Sequence, residues 1–165
     1  MKERKKILAF DIGGTKIAYA LIDEKGKICG EITKVSTPRD SREILTTLKS
    51  VVSGFEDVID AVAVAGEVSK NNDRIIASVG NMPKDYMNTP FKELSEKPVV
   101  VENDANAAMW AEYRLGAAKG MKDAMLVAIG TDDSGRVWIN GKDVWRDYGT
   151  SWYNIDEHIT PFQFR

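Results

Sequence analysis

The apolar residues of this chain fall into blocks with two different periods, and the change of period divides it into strands and helices. Ile7-Leu8-Ala9-Phe10 and Ile17-Ala18-Tyr19-Ala20-Leu21-Ile22 flank the stretch Asp11-Ile12-Gly13-Gly14-Thr15-Lys16. Short apolar runs about a Gly-Gly pair predict a β-hairpin, with strands at Lys6–Phe10 and Lys16–Asp23. The polar turn Asp23-Glu24-Lys25-Gly26-Lys27 leads to a third strand expected over Ile28–Val35. After the loop Thr37-Pro38-Arg39-Asp40, the residues Ile44, Leu45, Leu48, Val51 and Val52 recur at helical spacing. They predict a helix capped by Ser41, running to about Ser53 and ended by Gly54. Ile59–Ala65 is nearly all apolar, as a strand buried on both faces is. Gly66 to Asp85 is irregular, with a short extended piece at Arg74–Val79. Phe91–Glu96 reads as a short helix, Pro98–Val101 as a buried strand, and Asn103–Leu115 as a helix stopped by Gly116. Met125–Gly130 is a strand, Val137–Asn140 its hairpin partner and Asp143–Arg146 a short edge.

Three antiparallel strands followed by α/β crossovers give a mixed five-stranded sheet with flanking helices. This α/β order is the ribonuclease-H-like layout. It divides the chain into a lobe over residues 1–119 and the start of a second lobe over 120–165. The 165 residues suffice for one sizeable core. A net charge of −2 gives no reason to expect nucleic acid or an anionic membrane as partner. Cys29 is the only cysteine, which excludes an internal disulfide or a cysteine zinc site and fits a reducing compartment. No apolar run approaches the ~20 residues of a membrane span. No leader pattern is expected at the start, because Ile7–Phe10 runs straight into Asp11.

Two stretches carry candidate chemistry. In the first, Gly13 and Gly14 let backbone N–H groups approach an anion, while Thr15 adds a hydroxyl and Lys16 a charge. Asp11 beside a phosphate makes sense with a cation between them, and Mg²⁺ binds nucleotide phosphates with few protein ligands. The same residues also read as a tight hairpin with a polar rim. In the second, Val99-Val100-Val101-Glu102 runs into Asn103-Asp104-Ala105-Asn106, where a strand's carboxyl end meets a helix N-terminus. Ligands favour that edge of an α/β sheet. Asn and Asp are equally good helix caps. The functional reading makes Asp104 a general base and Asn103 a contact to a neighbouring hydroxyl.

Asp11-Ile12-Gly13-Gly14-Thr15-Lys16, Thr37-Pro38, Asn81-Met82-Pro83, Glu102-Asn103-Asp104-Ala105-Asn106-Ala107-Ala108 and Glu112-Tyr113-Arg114-Leu115-Gly116-Ala117 together resemble the ROK family. These are sugar kinases and sugar-responsive repressors of the actin-like ATPase superfamily. The resemblance covers Lys6 to about Thr131 and resumes at Val137–Lys142. No room for a helix-turn-helix is expected before Lys5, so the kinase branch, glucokinase above all, is the better match. The resemblance implies ATP- and Mg-dependent phosphorylation of a hexose such as glucose, in the cytoplasm. Asp104 would be the base, Asn103 and Asn81 sugar contacts, and Asp11 with Gly13, Gly14, Thr15 and Lys16 the first phosphate loop.

The chain also departs from the family pattern. A second phosphate loop would follow Gly130-Thr131, but Asp132-Asp133-Ser134-Gly135 stands there and reads as a hairpin turn. Two carboxylates replace backbone N–H groups there, and like charges at ~4 Å repel by ~4 kcal/mol at an effective dielectric of 20. Glu157 and His158 are adjacent rather than spaced as the family's sugar-binding pair. Gly66-Glu67-Val68 replaces a usual Pro-Gly-Pro turn. The cysteine-rich zinc segment has no counterpart, so no zinc is expected. These departures leave two readings: a sugar kinase incomplete or inactive as a single chain, and a non-catalytic binding or scaffold protein, natural or engineered, derived from the kinase lobe. Half of the chain's aromatic residues lie in Trp138 to Phe164. That segment packs back on its own sheet or forms a homodimer or protein contact.

Overall fold

The protein is represented by a computed structural model that describes residues 6–55, 58–64, 66–69, 74–77, 81–87, 89–96, 99–128, 134–139 and 142–144. A five-stranded sheet is built from β1 (Lys6–Ile12), β2 (Lys16–Asp23), β3 (Thr33–Ser36), β4 (Val58–Val64) and β7 (Val99–Asn103), in the order β3-β2-β1-β4-β7. The meander β1-β2-β3 is antiparallel, while β4 runs parallel to β1 and β7 parallel to β4. This is the ribonuclease-H-like α/β sheet that the sequence predicts.

Period-two alternation decides which face is core. Leu8, Phe10 and Ile12 of β1 alternate with Ile7, Ala9 and Asp11, and the first set is buried. Register aligns Phe10 with Val62 and Ile12 with Val64, and Val62 with Val101, so the buried row continues across the sheet. Helix α1 (Ser41–Val52) adds Ile44 and Leu48 to that core, and the single 3₁₀ turn Phe91–Leu94 adds Phe91 and Leu94. Helix α2 (Asp104–Leu115) packs on β4 and β7 and against the second, three-stranded sheet. Met109 forms a smaller cluster there with Ala118, Tyr113, Ala124 and Leu126. The second sheet has the order β10-β9-β8, from β8 (Ala124–Ala128), β9 (Ser134–Ile139) and β10 (Lys142–Val144). A two-stranded ribbon, β5 (Glu67–Val68) with β6 (Ile75–Ala77), follows β4 in the chain and packs on β7.

Several boundaries differ from the sequence expectation for identifiable reasons. β1 continues two residues past Phe10, because Asp11 and Ile12 still pair with β2 and β4 on either side. The third strand shrinks from Ile28–Val35 to Thr33–Ser36. Ile28 and Ile32 are exposed, so no burial holds that part in the sheet, and Ile28 keeps only one bridge to Ile22. Asp40, not Ser41, caps α1: its carboxylate accepts the N–H groups of Arg42 and Glu43 at 2.8 and 3.1 Å. An Asp one residue upstream reaches the same donors with charge added. The other end of α1 is as expected, with Ser53 as C-cap directly before Gly54. The expected helix at Phe91–Glu96 is one 3₁₀ turn, and the strand expected to be buried over Pro98–Val101 is instead the sheet's edge strand, running from Val99 to Asn103 with Val100 exposed. Ser134 and Gly135 are strand residues paired with Ala128 and Val127, not part of a turn. Asp132, Asp133 and the aromatic residues from Trp145 to Phe164 lie outside the described residues, so the contact expected of that segment does too. No helix among the described residues is long and apolar enough to cross a membrane.

Candidate functional site

The loop Gly13-Gly14-Thr15 joins β1 to β2, closed by the Gly13 N–H donating to the Lys16 carbonyl at 3.1 Å. All three of its carbonyls are held by the connector between β3 and α1. Thr37 donates its hydroxyl to the Gly13 carbonyl at 2.6 Å and its N–H to the Thr15 carbonyl at 3.1 Å. Arg39 donates Nη1 to the Gly14 carbonyl at 3.2 Å. A trans peptide points its N–H opposite its C=O. Pinning the carbonyls of Gly13 and Gly14 therefore turns the N–H groups of Gly14 and Thr15 the other way. Neither of those donors finds an acceptor among the described residues. The result is two successive backbone N–H groups turned away from the connector, donors of the kind that anion sites use.

Gly14 is required by space. A Cβ there would stand 2.9 Å from both the Cβ and the carbonyl oxygen of Asn81. Asn81 in turn accepts from Arg39 Nη1 through its carbonyl and its Oδ1, each at 3.1 Å. The fold thus brings Asn81 against the phosphate-loop candidate, an association its distance in sequence does not suggest. Asp11 reaches solvent from a partly dehydrated position next to the loop. That partial burial raises its carboxyl above the ordinary value, and the Lys16 ammonium opposes the rise.

The second group lies across the sheet. Asn103 is buried, and its side chain bridges two elements. Its Oδ1 accepts the Asn106 N–H at 3.0 Å and caps α2, while Nδ2 donates to the Gly66 carbonyl at 2.7 Å. Gly66 has φ of +110°, a conformation open to glycine, and its chain lies close against Ala77. Glu102 accepts from the Asn103 N–H and from Asn106 Nδ2, both at 2.9 Å. Asp104 opens α2, and its Oδ1 accepts the Ala105 N–H at 2.8 Å. Tyr86 lies within the electrostatic reach of Asp104. Burial, with the Asp104 charge added, holds its hydroxyl protonated across the accessible pH range. That hydroxyl is buried and has no hydrogen-bond partner among the described residues.

Register relates the two groups. Ile12 pairs with Val64 and Val64 with Asn103, so the Gly13 loop and Asp104 each begin one residue beyond the same row. Two strand spacings put β1 and β7 about 10 Å apart. Both features lie at the carboxyl ends of parallel strands, the ligand-binding edge of an open α/β sheet. Sequence reasoning missed Arg39 and Tyr86. One lies in a polar loop and the other in an irregular stretch, so no periodicity marks either.

The ROK family model matches residues 7–149. This chain belongs to the ROK family. ROK relatives include a glucokinase of Streptomyces coelicolor, 36% identical over 143 residues, covering 82% of this chain and 44% of the relative. An N-acetylmannosamine kinase of Yersinia pestis is 31% identical over 142 residues, covering 83% and 48%. Among solved structures, a ROK glucokinase from Streptomyces griseus, in complex with glucose and AMPPNP, superposes with a TM-score of 0.74 at 36% identity. That match covers 87% of this chain and 47% of the other. The chain spans about half the length of the curated ROK relatives it matches.

Proposed function

We propose that this chain provides the first-phosphate-loop and sugar-base side of an ATP-dependent hexose kinase site. The observation that carries the reading is the loop 13–15, whose carbonyls are all held from behind and whose Gly14 and Thr15 N–H groups open outward, on the same sheet edge as Asp104. In this reading Asp104 accepts the proton of a sugar hydroxyl as its oxygen attacks the γ-phosphorus. The bond to the β,γ-bridging oxygen breaks and ADP leaves with that electron pair. The N–H groups of Gly14 and Thr15, with the Lys16 ammonium, stabilise charge on the phosphate oxygens, which is where most of the catalysis of phosphoryl transfer resides. Asn103 holds the start of α2 in place through its cap and its bond to Gly66, and so fixes where Asp104 stands. Asp11 is a single carboxylate, a donor set that suits Mg²⁺ when phosphate oxygens and water complete its shell. When bound there, magnesium would neutralise phosphate charge.

Residues 1–119 are then one lobe, and 120–165 open a second. The glucokinase and N-acetylmannosamine kinase relatives make glucose and its 2-acetamido analogues the first sugars to test, in the cytoplasm where ATP and a reduced Cys29 coexist. The test is calorimetry of the 165-residue chain with Mg-AMPPNP and with glucose, separately, together with a glucose 6-phosphate assay. Nucleotide binding that Gly14→Val abolishes, and slow turnover that Asp104→Asn reduces ~10²-fold or more, is the expected result. Nucleotide affinity equal in wild type and Gly14→Val would remove the loop from the site.

A further inference from the structure

We infer that the connector between β3 and α1, through Arg39, couples the phosphate-loop candidate to the Asn81 segment, so that the two move and bind as one unit. The inference rests on the kinase reading for its ligands but not for its geometry. Thr37 holds Gly13 and Thr15, and Arg39 holds Gly14 and Asn81 with the same nitrogen. Two residues further on, Ser41 donates its hydroxyl to Asp85 at 2.7 Å and its N–H to both Asp85 oxygens at 3.2 and 3.3 Å. The four-residue connector and the first residue of α1 thus grip the hairpin loop on one side and the 81–87 segment on the other. The second segment leads on to Tyr86, which is buried in the main core and feels the Asp104 charge.

Among the described residues, these hydrogen bonds are what ties the two loops together. Gly14 and Asn81 touch directly, but that contact is steric and resists only approach. Arg39 resists separation, because one Nη1 is shared by acceptors from both loops. An anion that draws the N–H groups of Gly14 and Thr15 toward itself therefore tugs on the Gly14 carbonyl, and through Arg39 on Asn81. Arg39 is a positioning residue here, acting through the loops it joins. Coupling between two sites is reciprocal, so the Asn81 segment must affect the loop by the same factor.

The test uses the ¹⁵N-labelled 165-residue chain as wild type, Arg39→Ala and Arg39→Lys. Without ligand, amide order parameters of Gly14, Thr15 and Asn81 are expected near ~0.85 in wild type and to fall toward ~0.6 together in Arg39→Ala. Leu48 and Val62 serve as controls for general loosening, and Arg39→Lys restores part of the loss. Order lost at one loop alone, or at neither, overturns the inference. With ligands, glucose is expected to tighten Mg-AMPPNP binding about 5-fold or more in wild type and less than about 2-fold in Arg39→Ala. Equal factors in the two proteins, or no coupling in wild type, also overturn it. A wild-type chain that binds neither ligand removes the kinase reading instead, and the order parameters then decide the inference alone.

Discussion

Asp11 keeps its charge at a cost to the fold. Folding partly dehydrates its carboxyl, and the folded chain therefore binds that proton more tightly than the unfolded chain. The resulting cost is fully present above the folded-state pKa and disappears below the ordinary value of 3.8. Asp11→Asn should accordingly raise the melting temperature at pH 7, with the advantage shrinking as pH falls toward 4, while weakening Mg-nucleotide binding. Thermal melts across that range check the first part, and a melting point lower than wild type at pH 7 would contradict it. Such a trade of stability for a charged site is common where function needs the charge. The Tyr86 hydroxyl is a second local cost, since a buried donor without a partner lacks the compensation that water gave it. Tyr86→Phe keeps the ring packed edge-on to Phe91 and removes only the oxygen. It should stabilise the chain by about 1 kcal/mol, read by urea denaturation. Legibility at this scale is uneven. Gly13 to Lys16 announce themselves by composition, whereas Arg39 shows no pattern until the fold brings Asn81 beside Gly14.

Among the elements, α1 and α2 begin with the same device put to different uses. Asp40 caps α1 from its own chain, and Asp85 adds a second carboxylate from the 81–87 segment through Ser41. The Ser41 hydrogen bonds hold the Asp85 carboxyl below its usual range. Its contribution is therefore present above the ordinary 3.8 and lost as pH falls below that value toward the folded-state pKa. Asp40→Ala should cost about 0.5–2 kcal/mol by chemical denaturation. If the cost is near zero, Ser41 and Asp85 cap the helix without it. For α2, the sequence offers capping and sugar contact as alternatives for Asn103. The structure shows the capping role, and the Asn103 bond to Gly66 ties the helix start to the ribbon β5-β6. Strands and helices were legible wherever apolar residues keep one period. They were misjudged at Ile28 and Ile32, where apolar residues stand in solvent and composition overstates burial.

At the scale of the whole molecule, the mixed five-stranded sheet followed from the element sequence, because a meander leading into parallel crossovers has few right-handed solutions. The pairing of the candidate site did not follow, since it depends on register: only the row Ile12, Val64, Asn103 shows that the hairpin loop and Asp104 share an edge. The outer strand β7 keeps Val100 exposed, and Trp110 on α2 is exposed as well. The hairpin loop held from behind by Thr37 and Arg39 has a kinetic consequence. A loop already fixed in its receiving shape has no ordering step to complete after encounter, so a nucleotide should arrive in one event. Stopped-flow mixing with a fluorescent nucleotide analogue should give a single phase whose rate rises linearly with concentration. A rate that levels off would reveal a slow rearrangement instead. Arg39→Ala should create that plateau, converting a protein whose uptake is timed by diffusion into one timed by its own loop.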